Sequence, residues 1–93
     1  MLKAEKRIVD LLLHHKREYL SADWEEKKEI NKITSGIEKV LEHQTGIDWI
    51  SWSDLLWCVL GVDGFMPNAT NEDFYRVLNS LNVEVVDEIG NSD

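Results

Sequence analysis

Apolar residues recur at helical spacing along most of the chain. From about residue 2 to residue 20 they repeat every three, four and seven positions, which predicts an amphipathic helix with a broad buried face. A second helix is predicted from an N-cap at Ser21 to Gly46, since glycine commonly follows the last turn of a helix. Its apolar side forms a short heptad-like seam of Ile30, Ile33, Ile37, Val40 and Gln44.

The triplet Thr34-Ser35-Gly36 leaves the continuity of this second helix open. Ser35 and Glu38 have the spacing of a capping box, which would allow the helix to break and restart there. The apolar seam keeps its phase across the triplet, and this favours one helix, straight or bent. In that interpretation Gly36 lets another backbone approach closely.

Two shorter helices are predicted in the second half of the chain. Ser51 with Asp54 has the capping-box spacing at the start of the third, and Thr70 with Asp73 has it more clearly at the start of the fourth. The buried stripe predicted for the third helix is Trp52, Leu55, Leu56, Val59 and Leu60. The stripe predicted for the fourth is Phe74, Val77, Leu78 and Leu81.

A β-branched run at residues 83–86 predicts a strand after Asn82 ends the fourth helix. Residues 47–50 are its only plausible partner by composition, so the two runs predict a minor two-stranded β patch. The predicted fold is mainly α, a small four-helix arrangement in a single domain over residues 1–93. Residues 87–93 are predicted to be a frayed polar tail.

Charge is distributed unevenly along the chain, whose 93 residues carry a formal net charge of −8. Residues 1–46 carry nine basic and nine acidic side chains, whereas residues 47–93 carry one basic and nine acidic side chains. The second half should therefore project a negative field that repels phosphate groups and attracts basic surfaces. Direct nucleic-acid binding through this half is unfavourable for the same reason.

Side chains that carry catalysis or bind metals occur without a recognisable motif. Adjacent histidines point about 100° apart on a helix, so His14 and His15 are not expected to share a metal site. The sequence has no CxxC or HExxH pair, no EF-hand loop and no nucleophile elbow. We therefore predict a protein that is not an enzyme and that holds no metal or other cofactor.

The sequence also predicts a cytoplasmic protein. Its longest apolar runs fall far short of the roughly 20 residues that a membrane span needs, and no signal-peptide pattern follows the basic N-terminal residues. Cys58 is the only cysteine, which fits a reducing compartment.

Three tryptophans within nine positions suggest where a partner would bind. Trp52 shares the apolar stripe of the third helix and is predicted to lie in the core, whereas Trp49 and Trp57 fit core and interface positions equally well. Neighbouring carboxylates would give an exposed tryptophan the acidic rim of an interface hot spot. The predicted partner-binding residues are Asp48, Trp49, Asp54, Trp57, Asp63, Glu72 and Asp73.

These features together favour a non-catalytic acidic protein that binds a basic surface of a protein partner. If that surface normally binds nucleic acid, the carboxylates compete with the phosphate backbone and the protein inhibits by mimicry. Small inhibitors encoded by phages and other mobile elements, including anti-CRISPR and anti-restriction proteins, share this physical profile, but no motif assigns the chain to one such family.

Two alternatives follow from the first half of the chain. The seam of Ile30, Ile33, Ile37 and Val40 would allow two copies to pair, which defines a self-associating structural or adaptor module or a homodimer. The other alternative is a dimeric transcription regulator whose first half contacts DNA.

Overall fold

The computed structural model describes residues 2–60 and 70–87, and the side chains of residues 57–60 also lie outside its description. Four helices and two short strands occur in these residues, which confirms the predicted mainly α fold with a minor two-stranded sheet. In chain order the elements are β1 (Leu2–Glu5), α1 (Lys6–Ser21), α2 (Trp24–Thr45), α3 (Trp49–Leu60), α4 (Asn71–Ser80) and β2 (Val83–Val86).

The strand at residues 83–86 is confirmed, but its predicted partner is wrong. β2 pairs in parallel with β1, placing Leu2 opposite Val83, whereas residues 49–50 begin α3. The N–H of Leu2 also donates to the carbonyl of Asn82 at 3.0 Å. The pattern placed residues 2–5 in the first helix because Leu2 falls in phase with the apolar face of α1. Pairing with a β-branched strand from the far end of the chain is a long-range interaction that local periodicity does not reveal.

The turn between α1 and α2 differs from the prediction by two residues. Ser21 is the last residue of α1, and Asp23 is the N-cap of α2, because its carboxylate accepts a hydrogen bond from the backbone N–H of Glu26 at 2.9 Å. The predicted end at Gly46 is confirmed. Gly46 has a left-handed backbone with φ +81°, and its N–H donates to the carbonyl of Glu42 at 2.7 Å.

The favoured single helix across Thr34-Ser35-Gly36 is also confirmed, since α2 is continuous from residue 24 to residue 45. No close approach to Gly36 occurs within the described part of the chain, because no neighbouring heavy atom of that part lies within 4 Å of the position that a Cβ atom would occupy. This glycine therefore has no packing partner in the described part of the chain.

The buried face of α2 lies next to the predicted seam rather than on it. Ile33 and Val40 are 46% and 45% exposed. A row that is mostly polar is buried instead, namely Thr34, Glu38, Leu41 and Thr45. Periodicity missed this face because Glu38 is buried beside Lys16 of α1, and a sequence pattern does not show that two distant charges neutralise each other.

The core collects apolar side chains from every helix and both strands. Trp52 is buried as predicted, and its indole N–H donates to Thr45 Oγ1 at 3.3 Å. The described buried apolar residues are Ala4, Val9, Leu12, Leu13, Leu41, Trp52, Leu56, Phe74, Leu78 and Val83. Burial of such side chains is the main favourable contribution to folding, at roughly 1.5–3 kcal/mol for each large aliphatic or aromatic one.

The start of α4 follows the prediction, whereas the start of α3 does not. Thr70 and Asp73 form the reciprocal capping box, with hydrogen bonds of 3.2 and 2.9 Å. At α3 the cap is Asp48, whose carboxylate accepts the N–H of Ser51 at 2.8 Å, so the predicted Ser51–Asp54 box is wrong. The Asp48 carboxylate lies three residues before Ser51 and so supplies the acceptor that this backbone N–H needs at the start of a helix.

The end of α4 follows the prediction in part. Asn82 follows the helix with a left-handed φ of 69°, and its N–H donates to the carbonyl of Asn79. Leu81 was predicted in the buried stripe and is instead 53% exposed. Within the described residues, no helix combines the length and the apolar character that crossing a membrane requires.

Candidate functional site

The structure places five of the seven predicted partner-binding residues. Trp49 and Asp54 lie on α3, and Asp48 directly precedes its first residue. Glu72 and Asp73 lie in the first turn of α4. The other two predicted residues, Asp63 and the side chain of Trp57, lie outside the described part of the chain.

An apolar groove of about 300 Å³ lies between the first turns of α3 and the end of α4. Among the described residues, Asp54 is the only charged residue that lines it. The other lining residues are mainly apolar and come from α3, α4, β2 and the residues next to these elements: Ile47, Ser51, Trp52, Leu55, Leu78, Leu81 and Val83. A concave apolar surface with one carboxylate can receive an apolar side chain that is flanked by a basic one.

The apolar surface continues onto the exposed side of α3. Ile50 is 54% exposed, and it lies four residues before Asp54, so both belong to one face of the helix. Asp48 is exposed at the start of the same helix, next to the groove residue Ile47. The face of Ile50 therefore combines an exposed isoleucine with the Asp54 carboxylate, and we call it together with the groove the α3–α4 surface. Asp48 lies about 120° around the helix from Asp54, and its carboxylate belongs to the helix cap.

Trp49 lies apart from the α3–α4 surface. Five residues separate it from Asp54, which is about 140° around a helix. Its backbone N–H donates to Glu42 Oε2 at 3.2 Å, and Lys39 Nζ lies 5.9 Å from the centroid of its ring. With 37% of its area exposed, Trp49 packs toward α2 and is partly covered by a basic side chain.

The carboxylates of α4 serve its first turn. Asp73 accepts hydrogen bonds from the backbone N–H of Thr70 and from the Arg76 side chain, and these contacts hold the pKa of Asp73 below its usual range. Glu72 is exposed beside it. The first turn lies roughly 12 Å along the helix axis from Leu81 at the groove, so the predicted acids do not form one patch.

The basic residues Lys6 and Arg76 line a second pocket, which lies on the other side of Val83 from the groove along β2. Val83 lines the groove, whereas the next two residues, Glu84 and Val85, line this second pocket of about 400 Å³. Among the described residues, no lysine or arginine lines the groove, so the Asp54 carboxylate has no basic neighbour in the lining.

A cluster around Asp10 joins α1 to α4 and was not predicted. The Asp10 carboxylate accepts hydrogen bonds from Tyr75 Oη, from Asn71 Nδ2 at 2.9 Å and from Lys6 Nζ at 3.2 Å. Burial and the Asp10 carboxylate both raise the pKa of the Tyr75 hydroxyl. The sequence signal was an aspartate that interrupts the apolar stripe of α1, but its partners on α4 are more than 60 residues away along the chain.

The side chains of His14 and His15 lie closer to a common neighbour than the sequence predicts. One nitrogen from each ring and a carboxylate oxygen of Glu18 lie within 4.8 Å of one another. Glu18 follows His14 by four residues and His15 by three, and both spacings bring side chains together on a helix. Although adjacent histidines point about 100° apart on a helix, both of these rings reach the Glu18 carboxylate.

No protein-family model, curated protein or solved structure gives a significant match to the chain.

Proposed function

We propose that the protein is a non-catalytic binding protein whose α3–α4 surface receives a segment of a basic protein partner. The observation that carries this proposal is the groove, whose described lining is mainly apolar and has one charged residue, Asp54. The segment that fits it presents an apolar side chain to the groove and a neighbouring lysine or arginine to the carboxylate. Interfaces of this kind have an apolar centre and a polar rim.

Two further features support a basic partner. Ile50 and Leu81 are large apolar side chains left more than half exposed next to carboxylates, and burying them against a partner is favourable by about 25 cal/mol per Å². Residues 47–93 carry one basic and nine acidic side chains, so their long-range field accelerates the approach of a positive surface.

We further propose that this binding inhibits the partner. A basic protein surface that binds nucleic acid is blocked when carboxylates occupy it, so the protein acts as an inhibitor by mimicry, of the kind that phages and other mobile elements direct against host enzymes. We place this competition in the cytoplasm, where Cys58 stays reduced. Glu72 and Asp73, at the far end of α4, contribute to the field rather than to the contact.

Peptide binding tests the contact directly. The probes are labelled peptides with a central leucine or phenylalanine flanked by lysine and arginine, and matched peptides flanked by glutamate. We expect the chain to bind the basic set only, and Leu81→Asp and Asp54→Lys each to weaken that binding by roughly tenfold or more. Equal binding of both sets would contradict the proposal.

Glu72→Lys is the matched control for Asp54→Lys. It makes the same change of charge, but in the first turn of α4, at the end of that helix that lies away from the groove. It should alter the salt dependence and the association rate, with a much smaller effect on the dissociation rate. If Glu72→Lys and Asp54→Lys weaken binding equally, the groove is not the contact. For a protein partner captured from the host, displacement by duplex DNA tests mimicry separately.

A second candidate function is self-association as a structural or adaptor module, and the exposure of Ile33 and Val40 on α2 favours it. It predicts a molecular mass that rises with concentration in sedimentation and that Ile33→Asp returns to the monomer value. Leu11→Asp, at a similarly exposed position on α1, should leave the dimer intact. A monomer at high micromolar concentration would exclude this function and a dimeric regulator with it.

A further inference from the structure

The end of α1 presents three side chains that are able to bind a metal ion. His14 Nε2 lies 3.6 Å from Glu18 Oε1, and His15 Nδ1 lies 2.8 Å from the same oxygen. Two ligands of a tetrahedral zinc ion, each at about 2.0–2.1 Å from the metal, lie about 3.4 Å from each other. The observed separations bracket that value, so small rotations of these side chains would direct all three atoms to one ion.

The start of α2 supplies further carboxylates to the same place. His15 and Glu18 line a groove of about 360 Å³ together with Glu25, Glu26 and Glu29. Among the described residues, no lysine or arginine lines it, although Lys32 Nζ lies 3.5 Å from the Glu29 carboxylate at its edge. The groove therefore attracts cations, and its lining offers the carboxylates of α2 as candidates for a fourth ligand.

We propose that His14, His15 and Glu18 bind a divalent transition-metal ion of the zinc class, with a glutamate from the first two turns of α2 as a further ligand. Imidazole nitrogen favours zinc, copper and nickel over magnesium and calcium, which prefer oxygen ligands alone. An ion held in this way links the end of α1 to the start of α2 and stabilises their connection.

Calorimetric titration of the metal-free chain with Zn²⁺ tests the site, with Mg²⁺ as the comparison ion. We expect one Zn²⁺ per chain and no matching Mg²⁺ binding. His14→Ala, His15→Ala and Glu18→Gln should each weaken Zn²⁺ binding by roughly tenfold or more. Titration with Co²⁺ adds an optical measurement, because its visible absorption reports the ligand geometry.

His43→Ala is the matched control, since His43 is exposed and lies roughly 20 Å along α2 from Glu29. It should bind Zn²⁺ as tightly as the unchanged chain. The proposal is overturned if no stoichiometric Zn²⁺ binds, or if the His14, His15 and His43 variants lose affinity equally. Circular dichroism of each variant confirms that the helices are retained.

Thermal unfolding tests the link between the two helices. A bound ion stabilises the folded state by an amount that grows with the logarithm of its affinity, so Zn²⁺ should raise the melting temperature of the unchanged chain. The combined variant Glu25→Gln, Glu26→Gln and Glu29→Gln should lose much of that increase and bind Zn²⁺ more weakly. Unchanged affinity in this variant would overturn the assignment of a ligand to α2.

Discussion

The two halves of the chain differ in where they place charge. Residues 1–46 have balanced formal charges and bury some of them, including the pair of Lys16 and Glu38, whose side chains are 4% and 2% exposed. Residues 47–93 carry the whole net charge of −8, yet none of their described carboxylates is buried. Their described interior is apolar: Trp52, Leu56, Phe74, Leu78 and Val83.

This difference shows that net charge does not reveal where charge is buried. A balanced segment contains a counter-ion for each charge and so is able to take an ion pair into its interior. A segment with a single basic residue has too few counter-ions and must leave its carboxylates in water. In this protein the first half therefore uses charge for packing, whereas the second half has charge available for a partner.

Breaking the buried pair should give the largest effect. Glu38→Leu leaves the Lys16 ammonium buried without this counter-charge, and we expect the free energy of unfolding to fall by about 3–5 kcal/mol. Urea denaturation followed by circular dichroism measures the loss. A loss below about 1 kcal/mol would show that the pair is not part of the packing of the first half.

The double variant Lys16→Met and Glu38→Leu is the control for this experiment. It removes both charges and retains a similar volume, so its stability should equal or exceed that of the unchanged chain, by as much as about 4 kcal/mol. Such a result would attribute the damage in the single variant to the unpaired charge and not to altered shape.

The pH dependence of stability should distinguish the two halves next. Burial raises the pKa of Glu38, although the Lys16 charge opposes the change. A carboxyl group with a raised pKa in the folded state binds a proton on folding. Its ionisation therefore lowers stability above that pKa, and the loss is recovered as the pH falls toward the ordinary value of 4.5. As the pH falls through this interval, the unchanged chain should therefore gain stability relative to the double variant Lys16→Met and Glu38→Leu.

Asp73 in the second half should behave in the opposite way. Its pKa is lowered by the hydrogen bonds from Thr70 and Arg76, so its contribution is present above the ordinary value of 3.8 and is lost as the pH falls through the lowered pKa. The difference in the free energy of unfolding between the unchanged chain and Asp73→Asn, over the same pH series, measures this contribution. Equal slopes for the Glu38 and Asp73 comparisons would remove the distinction between buried and exposed carboxylates.

Local patterns predicted the helices well and their long-range partners poorly. The Thr70 capping box, the end at Gly46 and the core position of Trp52 depend on neighbouring residues, and all were correct. The pairing of β1 with β2 and the buried face of α2 depend on residues far apart in sequence, and both were predicted wrongly. Of the candidate site, the sequence named Asp54 but not the groove that it lines, because the groove also needs α4 and β2.

The helix caps allow a smaller test within the second half. Asp48→Ala removes the carboxylate that accepts the Ser51 N–H and should lower the free energy of unfolding by about 1 kcal/mol. Ser51→Ala keeps that backbone N–H and should have almost no effect. Chemical denaturation of the two variants decides between the observed cap at Asp48 and the predicted one at Ser51, and a larger loss for Ser51→Ala would favour the prediction.

Two glycines of the first half should give the smallest effects, with opposite signs. Gly36→Ala should raise the free energy of unfolding by about 0.5–1 kcal/mol, because alanine favours helix and its methyl group meets no neighbour. Gly46→Ala should lower it by about 1 kcal/mol, because φ is +81° there. Denaturation at two protein concentrations measures both variants.

The concentration series makes the Gly36 variant informative about the surface of α2. Gly36 lies three residues after Ile33 and four before Val40, so it shares the exposed face of α2 that the self-association proposal uses. If that face is free in solution, Gly36→Ala stabilises the chain equally at both concentrations. If a second copy packs its backbone against Gly36, alanine obstructs the contact and the benefit disappears at high concentration. That result would show that the first half uses its exposed face for a second copy, while the acidic half remains available for a different partner.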